Sequence, residues 1–325
     1  MAWYRNAGTR LLLNSRVSIS SEPLSSNRQS SKEPQREPIS PSSQAANRTN
    51  RIIDLFRGLY AKPSSAIGTT IFLIFLTVAL FGPLIAPYGV NEQIVADARQ
   101  PPSLQHWFGT DNLGRDVFTR VVIGARDILA LAGLGTLLAV VCGTAFGLLS
   151  GYMGAWFDEG LMRLFDSLLA MPALLLSLLL LGILGPSRSS VLIVIVIVYT
   201  PIVARVVRSV VLSVKTRGFV EASRLQGESI PYILFREILP STLPALTVES
   251  ALRFSYAIFL VASLGFLGVG VQPPNPDWGL MVKEARVHVF QIPWAMYFPA
   301  GAIALVVIGV NLMSDGIKRV WQKSG

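Results

Sequence analysis

Six long apolar stretches constrain this chain more than any other feature of its sequence. A helix needs about 20 residues to cross the hydrocarbon core of a bilayer, and a spanning segment must satisfy its own backbone hydrogen bonds. Of the 325 residues, 51% are hydrophobic and only 14% are charged, against roughly 25% charged in soluble domains. The stretches cover residues 66–86, 128–151, 165–184, 190–212, 242–267 and 294–313.

The predicted fold class is therefore an all-α polytopic membrane protein with about six transmembrane helices. The fourth stretch opens with a β-branched block at residues 191–198, which in water would indicate a buried strand. Its length and its apolar setting favour a helix, because a lone strand leaves backbone groups unpaired in lipid. Residues 1–50 are rich in Ser, Pro, Asn, Gln and Arg. We interpret residues 1–60 as a disordered cytoplasmic tail, for which a misassigned start codon is the alternative explanation.

The basic residues set the predicted orientation, because Lys and Arg are retained on the cytoplasmic side of a membrane. With both termini inside, 20 of the 28 Lys and Arg residues lie in cytoplasmic segments or at helix ends. Seven lie in outer loops, and Arg253 lies within the fifth stretch. We therefore expect both termini in the cytoplasm. The net positive charge does not indicate nucleic acid, because the basic residues form no single stripe.

The segment at residues 213–241 is too polar to span the membrane and too long for a simple turn. Its central part reads KTRGFVEASRLQGESIPYILFREILP over residues 215–240. Glu221, Ala222 and Ser223 suit a short amphipathic helix, and Gly227 permits a tight bend. Pro231 suits the first turn of a second helix, which Leu239 and Pro240 are predicted to end. From the residues alone, this element either docks into a peripheral protein or lies on the lipid headgroups.

The same segment resembles the EAA motif of ABC importer permeases. Five residues match that motif in identity and spacing, namely Glu221, Ala222, Gly227, Leu239 and Pro240. Ser223 stands where a second Ala is usual, and Glu237 stands where an aliphatic residue is typical. The resemblance implies a type I ABC importer transmembrane domain whose coupling helices sit in a groove of an ATPase subunit. It assigns the docking core to Glu221, Ala222 and Gly227.

A second segment, FGTDNLGRDVFTRVVIGAR at residues 108–126, resembles the outer signature of the dipeptide, oligopeptide and nickel permease branch. The matching residues are Gly109, Thr110, Asp111, Gly114, Arg115, Asp116, Thr119, Arg120, Gly124 and Arg126. We expect Thr110 or Asp111 to cap a helix, and Asp116 and Arg120 to pair on its exposed face. The helix either lies near the pore mouth or the solute-binding protein, or it is a solvated cap ordered by its own ion pairs.

A third segment, LGFLGVGVQPPNPDWG at residues 264–279, resembles the end of the fifth span in the same branch. Its prolines stiffen an outer loop, and Trp278 suits the membrane interface as an anchor. Gly265 replaces a Ser of that branch, and Val261 stands where relatives often have Glu. Within the fifth stretch, Glu249 and Arg253 stand one helical turn apart and are predicted to neutralise each other, either lining the pore or reaching toward the headgroups.

Enzymatic chemistry is not indicated. The sequence has no G-x-x-x-x-G-K-[ST] phosphate loop, its histidines are isolated, and Cys142 is its one cysteine. We expect no catalytic residue, no cofactor and no metal site, so the energy for transport must come from a partner ATPase. A secondary transporter is the competing class, but the EAA-like loop would have no use there.

The resemblance implies a multi-pass protein of the bacterial inner (plasma) membrane that forms half of an importer pore. The implied partners are a related second permease subunit, two ATP-binding subunits or one fused ATPase, a solute-binding protein and the lipid bilayer. Peptides are the expected substrate, with nickel or another small solute as the alternative. The expected division is a tail (1–60), a first helix with its periplasmic segment (61–127) and a core permease domain (128–325).

Overall fold

The computed structural model describes residues 58–323, and these are helical apart from their connections. Only an isolated bridge, Thr110 to Asp116, has β-type pairing in this range. Short 3₁₀ turns occur at Val95–Asp97 and Arg286–His288. The helices are α1 Pro63–Ile85, α2 Val117–Met153, α3 Ala155–Leu169, α4 Ala173–Leu184, α5 Arg188–Val214, α6 Gly218–Leu225, α7 Ile230–Leu267, α8 Trp278–Ala285 and α9 Pro293–Lys323.

Five of these helices, α1, α2, α5, α7 and α9, are long and apolar enough to cross a membrane. The pair α3 and α4 adds a sixth crossing if the two count as one span, although they meet at a bend of 93°. The predicted all-α polytopic fold is confirmed. The predicted tail over residues 1–60 lies almost wholly outside the described residues.

The prediction of one continuous third span over residues 165–184 is wrong. α3 ends at Leu169, and α4 begins at Ala173 after a sharp change of direction. Pro172 occupies the N-cap position of α4. A proline has no N–H to donate to the preceding turn, and it disfavours helical backbone at the residue before it, here Met171. The apolar run Leu174–Leu181 therefore starts a new helix.

Helices α2 and α5 pack most closely, and glycines of α2 make this possible. A Cβ atom built on Gly143 would lie 2.6 Å from Cβ of Val203, and one on Gly147 would lie 2.6 Å from the carbonyl oxygen of Ala204. Gly151 extends the row with the same four-residue spacing. Small residues at this spacing let membrane helices approach backbone to backbone. The sequence analysis did not identify this glycine row.

Two hydrophobic clusters fill the bundle. The larger one joins α1, α2, α4, α5, α7, α8 and α9, with Ala125, Ile195 and Ile258 almost fully buried. The smaller one lies where α2 and α5 meet α6 and the start of α7. We call this end of the bundle the α6 end. The opposite end, where α2 and α9 begin and α7 finishes, is the α8 end.

The prediction that Leu239 and Pro240 end a helix is wrong. The helix continues through both residues, and the fifth span, predicted to start at residue 242, is part of α7, which begins at Ile230. A π-helical turn at Ile233–Ile238 lies directly before Pro240. This turn changes the hydrogen-bond register at the place where proline removes a donor, so the helix can pass the proline without stopping.

Candidate functional site

The segment at the α6 end has the predicted helix, bend and second helix. α6 closes at Gly227, which has a φ of +77°. The N–H of Gly227 donates to the carbonyl of Arg224 at 3.0 Å, and the N–H of Glu228 donates to the carbonyl of Ser223 at 3.1 Å. This pair of bonds is a Schellman motif, in which a left-handed residue reverses the chain after a helix. Glycine adopts that conformation at least cost.

The bend is fixed to the bundle by buried apolar side chains on both of its sides. Val220 of α6 and Ile233 and Ile238 of α7 are at most 1% exposed and pack in the smaller hydrophobic cluster. The guanidinium of Arg224 lies 4.7 Å from the ring centroid of Tyr152, near the end of α2. α6 is therefore held by the ends of α2, α5 and α7 together.

The opposite side of this element is open. Glu221, Ala222 and Gly227 are exposed, and the side chain of Leu225 is 85% exposed. A Cβ atom on Gly227 would meet nothing within 4 Å. We call these four residues the α6 face. Ser223 points inward, where its hydroxyl donates to the carbonyl of Phe219 at 3.1 Å, so it supports the helix and does not belong to this face.

The signature at the α8 end is buried in a polar network. Asp111 accepts hydrogen bonds from the backbone N–H of Leu113 at 2.8 Å and of Arg115 at 3.0 Å. The guanidinium of Arg115 binds Asp111 at 2.6 Å and Glu284 of α8 at 2.7 Å. These contacts join the outer segment to α8, and the alternative of a solvated cap does not hold for Asp111 and Arg115, which are buried.

Asp116, and not Thr110 or Asp111, caps α2. Its carboxylate accepts from the N–H of Thr119 at 2.7 Å and lies 2.9 Å from Nδ1 of His106. The predicted ion pair between Asp116 and Arg120 is therefore absent. Arg120 is 3% exposed and donates to the carbonyl of Val90 at 3.3 Å. A spacing of four residues on a helix allows an ion pair. Here Asp116 caps the helix instead, and the side chain of Arg120 is buried and bound to the carbonyl of Val90.

Two glycines of this signature allow close backbone approach. Gly109 and Gly114 have φ values of +71° and +75°. A Cβ atom on Gly109 would lie 2.6 Å from Nε1 of Trp294, and one on Gly114 would lie 2.2 Å from the carbonyl oxygen of Ile94. Trp294 donates from Nε1 to the carbonyl of Thr110 at 2.9 Å. The signature thus packs the outer segment onto α9 as well as α8.

Trp278 is not the interfacial anchor that the sequence predicted. It is fully buried, and its indole N–H donates to the carbonyl of Val121 at 2.9 Å. Gly124 leaves the space for its ring, because a Cβ there would lie 2.7 Å from it. A tryptophan is an anchor only when its ring meets the headgroups, and here α2 and α8 enclose it.

The neighbouring Asp277 explains why a glycine, Gly265, stands where the permease branch usually has a serine. Its carboxylate caps α8 by accepting from the N–H of Leu280 at 2.8 Å. A Cβ atom on Gly265 would lie 1.9 Å from that carboxylate, so no larger residue fits there. Burial raises the pKa of Asp277 to about 6, although hydrogen bonds from the backbone of Leu280 and Gly279 oppose the shift.

The predicted pairing of Glu249 and Arg253 is confirmed. Nε of Arg253 lies 2.7 Å from Oε1 of Glu249, at ion-pair distance but without the direction of a hydrogen bond. The guanidinium lies 4.8 Å from the ring centroid of Tyr256 and 5.7 Å from that of Tyr199. An open cavity of about 290 Å³ begins at Arg253.

Two further ion pairs, which the sequence analysis missed, join α3 to α5. Arg208 binds Asp158 through both carboxylate oxygens at 2.5 Å each, and Arg205 binds Asp166. Helical spacing rules pair residues three or four positions apart, so they could not have paired residues 39 and 50 positions apart on different helices. These pairs tie α3 to α5.

This architecture, a bundle of apolar helices with a rigid helix and bend exposed at one end, is that of an importer permease. Residues 143–324 match the family described as binding-protein-dependent transport system inner membrane component. Residues 52–102 match the N-terminal TM domain of oligopeptide transport permease C. The chain belongs to the first of these families, and it is a permease subunit of an ABC importer and not an enzyme.

Similar permease proteins align with most of the chain. The dipeptide transport system permease protein of Alkalihalophilus pseudofirmus is 40% identical over 265 residues, which cover 82% of this chain and 87% of that protein. Glutathione transport system permease proteins of Escherichia coli and Shigella sonnei are 40% identical over 261 residues, which cover 80% of this chain and 86% of theirs. The chain is thus a multi-pass inner-membrane protein that works with other subunits of an importer.

Proposed function

We propose that this chain forms half of the translocation pore of an importer for peptides. The relatives named above are permeases for dipeptides and for glutathione, and this supports a peptide as the cargo. The other half of the pore is a related but different permease subunit. Either two ATP-binding subunits or one fused ATPase supplies the energy, and a solute-binding protein delivers the cargo.

The α6 end faces the cytoplasm in this proposal, and both termini lie there. The distribution of Lys and Arg along the sequence supports this orientation, because most of these residues fall in the segments that the sequence analysis assigns to the cytoplasm. The α8 end then faces the periplasm, where the solute-binding protein would meet it. The division into a tail (1–60), a first helix with its periplasmic segment (61–127) and a core domain (128–325) remains a proposal. The boundary between residues 127 and 128 falls within α2.

The α6 face is the proposed docking site for the ATPase, within the coupling loop at residues 213–241. Glu221, Ala222 and Gly227 are exposed, while the other side of the element is anchored in a buried apolar cluster. A surface that is rigid on one side and open on the other can receive force from a partner without unfolding. This combination is the observation that carries the proposal.

Force on the α6 face would reach the pore through α7. This helix continues without a break in the chain from Ile230, beside the bend, to Leu267 at the other end of the bundle, and Leu239 and Pro240 lie within it. Glu249 and Arg253 line the pore along its course. Coupling between two sites requires an element whose position both sites bias, and α7 is such an element.

The experiment is co-purification of the tagged protein with its ATPase, comparing wild type, Gly227→Asp and Gly160→Asp. Aspartate is among the residues that tolerate left-handed backbone, so the first change adds bulk and charge while keeping the bend. Gly160 of α3 also has open space around it and provides the matched control. We expect Gly227→Asp to lose the ATPase and Gly160→Asp to retain it.

The variants must remain monodisperse and inserted in the membrane for this comparison to count. Retention of the ATPase by folded Gly227→Asp would contradict the docking site. Failure of the wild type to bind any ATPase would contradict the coupling mechanism as a whole.

A further inference from the structure

The guanidinium of Arg253 has unused hydrogen-bonding capacity inside the membrane. Its Nε lies 2.7 Å from Oε1 of Glu249 without the direction of a hydrogen bond, and among residues 58–323 none of its side-chain nitrogens makes a hydrogen bond. The side chains of Arg253 and Glu249 are only 14% and 13% exposed. A guanidinium presents a rigid fork of donors, which matches the two oxygens of a carboxylate. The fork is therefore poised for a ligand that the chain itself does not supply.

The open side of Arg253 faces a cavity rather than packed protein. The cavity of about 290 Å³ is bounded by α4, α5 and α7, and Arg253, Tyr199, Tyr256 and Ser263 are the polar residues in its mostly apolar lining. Its volume is close to the lower end of the roughly 300–1,000 Å³ typical of small-molecule sites. A small solute fits there beside the guanidinium.

This cavity continues into a second one along α7. The second cavity, of about 620 Å³, shares Leu174, Phe259 and Ser263 with the first and is lined almost wholly by apolar side chains. Arg253, Tyr256, Phe259, Ser263 and Phe266 recur every three or four residues, so they form one stripe on the helix. The two cavities thus adjoin along α7, and the second extends toward the α8 end, where Gly279 and Val282 line it.

Arg253 lies deep within a membrane-spanning helix, where a polar solute in these cavities would need a polar group to bind. It lies about 21 Å along the helix axis from Leu267, at 1.5 Å per residue, so it is well inside the apolar span of α7. Charged side chains at that depth face a bundle interior or a water-filled cavity and mark solute pathways. Glu249 offsets the charge of Arg253 in the absence of a ligand.

The two tyrosines hold the guanidinium and shape the site. Tyr256 lies 4.8 Å and Tyr199 lies 5.7 Å from it, within the range of cation–π attraction. Because they come from different helices, α7 and α5, they restrict the rotation of the Arg253 side chain. A preorganised fork loses less entropy when it binds a ligand.

We propose that Arg253 binds the carboxylate of the cargo in the pore, held in place by Tyr199 and Tyr256 and counterbalanced by Glu249. This inference rests on the proposed function, because a peptide cargo carries such a carboxylate at its C-terminus. The site would therefore recognise a free carboxylate, which every unmodified peptide supplies at its C-terminus. Selectivity for peptides then has a component within the permease.

The test is equilibrium binding of a radiolabelled dipeptide to the purified permease and ATPase complex, without the solute-binding protein. The free acid and the C-terminally amidated form of the same dipeptide are compared, so that only the carboxylate changes. The variants are Arg253→Gln, Arg253→Lys and the double variant Glu249→Gln with Arg253→Gln. The double variant keeps the site neutral, and Arg163→Gln, an exposed arginine of α3, is the control.

We expect the wild type and Arg163→Gln to bind the free acid about tenfold or more tightly than the amide, as a charge-assisted fork would require. Arg253→Gln and the double variant should bind both forms equally. Arg253→Lys should retain part of the preference, since it keeps the charge but not the fork. Equal binding of both forms by wild type, no binding of either form, or a preserved preference in the folded double variant would overturn the proposal.

ATP-driven uptake of the free acid, measured with the solute-binding protein present, separates this inference from the proposed function. Uptake by wild type without any carboxylate preference in binding would leave the importer intact and remove only the role of Arg253. Absence of uptake of any peptide would remove the proposed cargo itself.

Discussion

The α8 end and the α6 end of the bundle both carry a polar motif that turns on a glycine with positive φ, but they use it in opposite ways. At the α8 end, a Cβ atom on Gly114 would lie 2.2 Å from the carbonyl oxygen of Ile94. At the α6 end, a Cβ atom on Gly227 would meet nothing within 4 Å. The first glycine is enclosed by its own chain, and the second faces outward.

The same contrast holds for the side chains around each glycine. Thr110, Asp111 and Arg115 are at most 8% exposed and bind one another or α8 and α9, whereas Glu221 and Leu225 make the surface of α6. A motif whose polar groups hydrogen-bond to one another stabilises the folded bundle. A motif whose residues remain open is available to a partner, and the contrast can be tested residue by residue.

The largest expected effect is the loss of a buried ring at the α8 end. Trp278→Ala removes a fully buried side chain and its bond to Val121, so it should cost about 3–5 kcal/mol of unfolding free energy. Trp156→Ala, at the α6 end, removes a ring that is 83% exposed and should cost about 0.5 kcal/mol or less. Thermal unfolding of the detergent-solubilised complex measures the loss of stability in each variant. Similar losses in the two variants would contradict the difference between the two ends.

A pair of alanine substitutions sharpens the contrast between the glycines. Gly114→Ala and Gly227→Ala both impose left-handed backbone on a side chain, at about 1–2 kcal/mol. Only Gly114→Ala also collides with the backbone of Ile94, so it should cost about 2 kcal/mol more. The difference in melting temperature between the two variants measures the cost of the steric collision alone, because the backbone cost is common to both. If Gly227→Ala proved the more destabilising of the two, the α6 end would be more tightly packed than the structure shows.

The smallest effect concerns pH at the α8 end. Because burial raises the pKa of Asp277 to about 6, the folded state keeps this proton to a higher pH than the unfolded state does. The contribution of Asp277 to stability therefore falls as pH rises from about 4 to about 6, by on the order of 2 kcal/mol. Asp277→Asn retains an acceptor for the N–H of Leu280 and should remove that decline.

Melting temperatures of the wild type and Asp277→Asn, measured between pH 4.5 and 7.5, check this prediction. The stability of the variant relative to the wild type should increase across that range. A constant difference would show that Asp277 is not the group that titrates.

Local patterns predicted the α6 end well because its bend is made by neighbouring residues. The glycine at position 227 and the helix-forming residues before it produce a Schellman motif through bonds that span three to five residues. Pro231 begins the next helix as expected. The error concerned Leu239 and Pro240, because a π-helical turn let the helix pass a residue that usually ends one.

The α8 end was predicted less well because its contacts join distant parts of the chain. Asp116 was expected to pair with Arg120, four residues away, but it caps α2 and contacts His106. Trp278 was expected at the membrane surface, but Gly124 leaves a space for it more than 150 residues earlier in the sequence. No local rule states which distant glycine will receive which ring.

The sequence by itself determined that this chain spans a membrane, that it belongs among importer permeases, and that it presents a helix and bend between two spans. Hydrophobic length, spacing and backbone preference are local properties, so they can be read along the chain. The tertiary structure decided the break between α3 and α4, the burial of the outer signature and the cavities along α7 at Arg253. These depend on which helices pack together, because the free energy of packing arises between segments that lie far apart in the sequence.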